Sequence, residues 1–213
     1  ATDLAASTVS GTLGITSAGA VTDSGTLAIT GATTISASGQ DITLDEAAST
    51  FGTLALTGSN VAVTENAAMD LGASTIGGTA NFNSTSNVIT DSGTLAITGA
   101  TTINAGTADI TLDQAASTFG ALALTGANVA VTENAATDLA ASTVSGTLGV
   151  TSTGAVTDSG TLAITGATTI SASGQDITLD EAASTFGTLA LTGSNVAVTE
   201  NAAMDLGAST IGG

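Results

Sequence analysis

Hydrophobic residues recur two apart through most of the chain, with Thr, Ala or Gly between them. The segments T-L-G-I-T at 12–16, A-V-T-D at 20–23, T-L-A-I-T at 26–30 and T-T-I-S-A at 33–37 follow this rule. So do D-I-T-L-D at 41–45, T-L-A-L-T at 53–57 and V-A-V-T-E at 61–65. Alternation of period two predicts short strands with one buried face. Gly and Ser or Asn punctuate them, as at Ser24-Gly25, Ser38-Gly39 and Gly58-Ser59-Asn60, and mark turns. No segment sustains a helical period, so the chain reads as all β.

The pattern returns. The stretch Gly25–Ala67 recurs unchanged at Gly160–Ala202 and with seven substitutions in 43 positions at Gly93–Ala135. A linking piece opens A-T-D-L or A-M-D-L at Ala1, Ala68, Ala136 and Ala203, starts that lie 67, 68 and 67 residues apart. A longer period overlies this one, for residues 1–78 and 136–213 differ only at Ile15/Val150 and Ala18/Thr153. Tandem units of this length predict one elongated body in which each unit touches its neighbours. The domain reading is therefore a single array over 1–213, with repeats 1–67, 68–135 and 136–202 and the start of a fourth at 203–213.

Near-identical units stack most simply in parallel and in register, as coils of a solenoid; short spacers also allow a meander of hairpins. Dividing at each V-T-D, I-T-L-D-E or V-A-V-T-E strand gives coils at 20–40, 41–59, 60–87, 88–108, 109–127, 128–154, 155–175 and 176–194. The expectation is three coils per unit, with coil lengths cycling through 21, 19 and 27 or 28, and about three strands in each. At about 4.8 Å per coil, the array would span roughly 45 Å.

The core this predicts is thin and continuous. Val21, Leu27, Ile29 and Ile35 point inward in one coil, and Ile42, Leu44, Phe51, Leu54 and Leu56 in the next. Val61, Val63, Leu71 and Ile76 follow in the third, and Phe51, Phe119 and Phe186 fill a corner. Stacked aliphatics bury one another at roughly 25 cal/mol per Å² of apolar area. The stretch T-A-N-F-N-S-T-S-N-V at 79–88 departs from its counterparts and carries the one-residue insertion, so a loop or bulge is expected there.

Composition narrows the function. The chain has no Lys, Arg, His, Cys, Pro, Trp or Tyr, and its formal net charge is −18. Without a cationic side chain, binding to nucleic acid phosphates or to anionic membrane is disfavoured. No apolar run approaches the roughly 18 residues needed to cross a bilayer. Disulfides and thiolate metal sites are excluded. With no Lys or Arg, trypsin has nowhere to cut. A solenoid needs atypical capping units at its ends; both ends here fall inside a repeat, which predicts a window of a longer chain.

The motifs G-T-L-A-I-T-G-A-T-T-I-S-A, D-I-T-L-D-E-A-A-S-T-F-G and V-S-G-T-L-G-I-T-S-A-G-A-V-T-D-S-G resemble the repeat region of filamentous haemagglutinin-like exoproteins. These are large bacterial surface proteins exported by two-partner secretion. The resemblance covers essentially the whole chain. It implies a right-handed parallel β-helix on the Gram-negative outer surface, serving as a stalk, an adhesin shaft or a matrix fibre. It brings over no catalytic residue.

One constellation suggests chemistry. With Val21, Leu44 and Val63 as equivalent inward residues, Asp23, Glu46 and Glu65 fall at one expected outward position. Asp91, Gln114, Glu133, Asp158, Glu181 and Glu200 continue it, giving a carboxylate in eight of nine coils. Like charges about 4.8 Å apart repel. Such a ladder would suit Ca²⁺, with Asp41, Asp45, Asp109, Asp113, Asp176 and Asp180 as further ligands. A solvated acidic edge that keeps a neutral surface soluble needs no metal. Paired carboxylates can run glycoside hydrolysis, but these pairs recur in every unit without an aromatic platform, so no enzyme is expected. Thr-x-x-x-Thr faces in T-L-A-I-T and T-L-A-L-T admit an ice-binding solenoid. Asn60, Asn128 and Asn195 recur once per unit and read as turn residues. The leading expectation is a structural role without a required cofactor: a secreted, cell-surface or extracellular filament. Its partners would be neighbouring repeats and like filaments, and an adhesin shaft whose tip lies elsewhere is the alternative.

Overall fold

The computed structural model describes residues 1–212 and contains 29 strands, with no helix among the described residues. The strands pair in parallel, each with its counterpart one coil away. One coil runs through Val21–Asp23, Leu27–Ile29 and Thr33–Ser36, and the next begins at Ile42, which pairs with Val21. This is a parallel β-solenoid of about ten coils with three strands in a coil.

The inward positions expected from the alternation are all buried, from Val21 through Ile76, and Phe51, Phe119 and Phe186 are 6–7 % exposed. Burial comes from stacking. In the last coil Met204, Leu206 and Ile211 are 45, 59 and 58 % exposed. Met69, Leu71 and Ile76 hold the same places with a coil on either side, and each is 0 % exposed.

The coil boundaries need correction. The expected third coil, 60–87, holds four strands: Val61–Glu65, Met69–Leu71, Ser74–Ile76 and Ala80–Ser84. Ala80 pairs with Val61, so the coil closes there and the fourth strand opens the next. Steps between coils range from 17 residues (Ala121 to Asp138) to 22 (Ala28 to Thr50). The strand Val61–Glu65 and its copy Val196–Val198 lie seven steps apart in one sheet. The copy between them, Val129–Glu133, lies in the other sheet. Two units thus make seven coils, and one unit makes three and a half. Each unit lands on the opposite side of the rod from its neighbour. The near-identity of 1–78 and 136–213 joins the two segments that share a side.

Half a coil is accommodated by relocating a wall. Two walls run the length of the rod, while the third is three coils high. It is first built from Ser7–Val9, Leu27–Ile29 and Thr50, which bridges Ala28. The second instance is Ser74–Ile76, Leu95–Ile97 and Thr118; the third is Ser142–Val144, Leu162–Ile164 and Thr185. A new wall starts where a six-residue strand splits. Thr53 and Leu54 pair with Asp70 and Leu71, while Thr57 and Gly58 pair with Thr75 and Ile76. The chain between Leu71 and Thr75 holds one residue more than that between Leu54 and Thr57, a bulge that bends the strand into a corner.

The departing stretch at 79–88 is a strand for half its length. Ala80–Ser84 continues the sheet, and the inserted residue is absorbed in the turn after it, where Ser86 takes a φ of 63°. Ala80 and Phe82 replace the Leu148 and Val150 of the next unit at the equivalent inward positions, so a smaller and a larger side chain compensate. The corners stack glycine on glycine. A Cβ at Gly99 would lie 2.5 Å from the Gly78 carbonyl oxygen, so only glycine lets the coils close up there.

Candidate functional site

A wall that ends leaves backbone N–H groups facing no next strand, and an unpaired buried N–H is costly. In each unit, inward side-chain oxygens take the missing places. Phe51 N–H donates to Glu65 Oε1 at 2.7 Å, Phe119 to Glu133 Oε1 at 2.8 Å and Phe186 to Glu200 Oε1 at 3.1 Å. One coil below, Leu27, Leu95 and Leu162 N–H each donate to the hydroxyl of Ser49, Ser117 or Ser184 at 3.0 Å. At the corner where the new wall starts, Leu56 N–H donates to Ser74 Oγ at 3.0 Å, and that hydroxyl donates to the Gly72 carbonyl. Ser142 and Ser209 repeat the arrangement for Leu124 and Leu191. Asp23, Asp91 and Asp158 each accept, at 2.8–2.9 Å, the N–H of Asp45, Asp113 or Asp180.

These positions overturn the outward acidic ladder. Asp23, Glu65, Asp91, Glu133 and Asp158 are buried and face the core. The reason is the strand period: Asp23 lies two residues after Val21 and Glu65 two after Val63, and residues two apart share a face. Register breaks the row as well. Val21 pairs with Ile42 and Ile42 with Val61, so Asp23 is level with Leu44 and Val63, not with Glu46 or Glu65. Glu46, Gln114 and Glu181 sit half-buried beyond the strands, and Glu200 is half-buried in the last coil. Among the described residues no three acidic side chains gather as a candidate metal centre.

Burial sets the electrostatics. Glu65 and Glu133 are 0 % exposed. Desolvation pushes the Glu65 carboxyl up to about 7, opposed by the hydrogen bond from Phe51. Glu133 is raised for the same cause against the Phe119 amide. Asp23, Asp91 and Asp158 are also raised by burial; backbone amide hydrogen bonds oppose the shift, and the adjacent Asp45, Asp113 or Asp180 adds a smaller upward push. One oxygen of Glu65 and of Glu133 is enclosed with no partner among the described residues.

Two exposed features were misread or missed in the sequence. Asn60 does not merely make a turn. Its N–H and Nδ2 donate to Asp41 Oδ1 at 3.1 and 2.9 Å, and its Oδ1 accepts from the Thr79 N–H and hydroxyl at 3.0 and 3.1 Å. It therefore clips three successive coils. Asn128 does the same between Asp109 and Thr147, and Asn195 holds Asp176. Outward hydroxyls line up from coil to coil as Thr16, Ser36, Thr57 and Thr75 on one sheet. On the other sheet a polar row runs through Thr64, Asn83, Asn104, Thr125 and Thr143, with two carboxamides between the hydroxyls. The companion row is Gly14, Thr34 and Ala55, so the two-row threonine lattice of an ice-binding face does not form there. The inward serines had a signal that was passed over, since Ser49 and Ser74 stand at the parity of Phe51 and Ile76.

What these residues define is a repetitive solenoid whose third wall is closed by a glutamate and reopened by a serine once per unit. A family model described as Repeats of unknown function (DUF5649) matches residues 1–57, 58–125 and 126–192. The chain belongs to that family. Its model repeats with the period found here, starting at another phase of the same unit. No curated protein matches the chain, and no solved structure does.

Proposed function

We propose that the chain is the shaft of a stiff extracellular or cell-surface filament, and that its work is mechanical. The observation that carries this reading is the continuity of the hydrogen-bonded stack through a change of wall. Backbone ladders run from coil to coil along both long sheets, and where the third wall stops, side chains of fixed identity complete the rungs. A rod built this way resists bending and local opening without needing a site on its surface. The resemblance to filamentous haemagglutinin-like exoproteins supports placing it outside a Gram-negative cell, with like rods as neighbours, no nucleic acid, no membrane insertion and no catalysis. Glu46, Glu181 and the exposed aspartates give the surface one sign of charge, which keeps rods apart in solution.

Electron microscopy of the material purified from its native source tests this. Thin filaments with a layer line near about 4.8 Å are expected. Globular particles, or rods only a few coils long, would overturn the filament, and single rods ending in a distinct globular tip would move the function to an adhesin outside this segment.

A further inference from the structure

Each unit encloses one glutamate at the end of a wall, and nothing in the chain can neutralise it. Glu65 and Glu133 lie wholly inside the rod, one oxygen held by a backbone N–H and the other enclosed without a partner. A lone carboxylate in an apolar interior is among the most expensive groups to keep. Its usual remedy, a cationic side chain, is absent, for the sequence has no Lys, Arg or His. Glu65 takes the Phe51 N–H from below, shares the inner face of its strand with Val63, and pairs in register with Ser84 above. The nearest acids on those elements face away: Asp70 is bonded outside to Thr53 and Ser92, and Glu46 lies beyond the strand. Around Glu133 the corresponding groups are Phe119, Val131 and Ser152, and here the buried Thr137 hydroxyl, which stands where Met69 does in the unit before, also favours the charged form; Gln114 replaces Glu46, and Asp138 lies on the strand that follows.

We propose that Glu65 and Glu133 are proton-operated locks on the wall switch, closing the coil when neutral and loosening it when ionised. The neutral carboxyl keeps its carbonyl oxygen on the Phe51 or Phe119 N–H and buries no charge. The anion keeps the same bond but must draw in water, which means parting the coil above it. The direction of the raised acidity agrees. A carboxyl held higher in the folded rod than its ordinary 4.5 stabilises the rod fully below that value, and this contribution is lost as pH rises towards about 7. The rod is therefore tightest in mildly acid surroundings and slackens at neutral to alkaline pH, once per unit.

The test compares thermal unfolding of the full chain with that of the Glu65→Gln/Glu133→Gln double variant, from about pH 5 to about pH 8. Glutamine keeps the acceptor and cannot ionise. The unmodified chain is expected to lose several degrees of melting temperature over this range. The double variant should match it at the acid end and exceed it at the alkaline end. The remaining carboxylates contribute equally to both curves, so the difference isolates the two glutamates. Parallel curves would overturn the proposal. Should the double variant not fold, the single variants are each expected to remove part of the slope, and single variants whose curves run parallel to the unmodified chain would overturn it as surely.

Discussion

Two kinds of step carry one coil onto the next. Where Val61–Glu65 meets Ala80–Ser84, five residues pair in register and backbone bonds to backbone. Where Thr53–Gly58 meets the two strands above it, the pairing is interrupted, and Ser74 and Glu65 supply the missing acceptors. The repeats themselves show how differently the two kinds are constrained. Along the regular step Leu148 and Val150 give way to Ala80 and Phe82 at equivalent places, and Thr79–Val88 diverges freely. At the switch, Glu65, Glu133 and Glu200, Ser49, Ser117 and Ser184, and Ser74, Ser142 and Ser209 never vary between units. A regular step asks only for the right volume on the inner face. A switch asks for an oxygen at a set reach from the backbone.

That contrast can be broken from either side. The largest loss should come from emptying the regular step. Phe82 is 0 % exposed, and Phe82→Ala should cost about 3–5 kcal/mol in equilibrium denaturation through the cavity it leaves. Restoring bulk next to it, by adding Ala80→Leu and placing Val at position 82, should recover most of that loss, as the neighbouring unit does naturally. At the switch, no change of volume can compensate. Ser74→Ala removes a single oxygen but strands the Leu56 N–H inside the rod, a loss of about 1–3 kcal/mol. Ser74→Thr, which keeps the oxygen, should lose less than Ser74→Ala. The smallest effect is expected at the exposed clip, where Asn60→Ala gives up bonds that water can replace and should cost about 1 kcal/mol or less by the same measurement. A Ser74→Ala variant as stable as the unmodified chain would erase the distinction between the two steps.

Much of this was legible in the sequence. The period-two alternation fixes the strands and the inner residues from Val21 to Ile76, and the recurrence of Gly25–Ala67 fixes the unit. The coil count per unit was not legible, because the six-residue strand Thr53–Gly58 looks like one strand in sequence yet faces two in space. Hydrophobic spacing records which residues point inward; it does not record which coil they belong to. The acidic residues show a different failure. Parity places Asp23 and Glu65 inside, with Val21 and Val63, but the expectation that carboxylates face water outweighed it. The inward serines were lost among the many serines of the chain, although their position relative to Phe51 and Ile76 distinguishes them. Asn60 looked like a turn residue because its partners, Asp41 and Thr79, each lie 19 residues away.

The three-and-a-half-coil unit has a consequence for how such a chain can grow. Adding or deleting one unit by duplication rotates everything beyond the change to the far side of the rod, whereas a change of two restores its facing. Anything displayed at one place in the unit alternates left and right along the shaft, and its heading at a distance depends on whether the number of intervening units is odd or even. A lineage that needs its outward features aligned would be expected to gain and lose units in pairs.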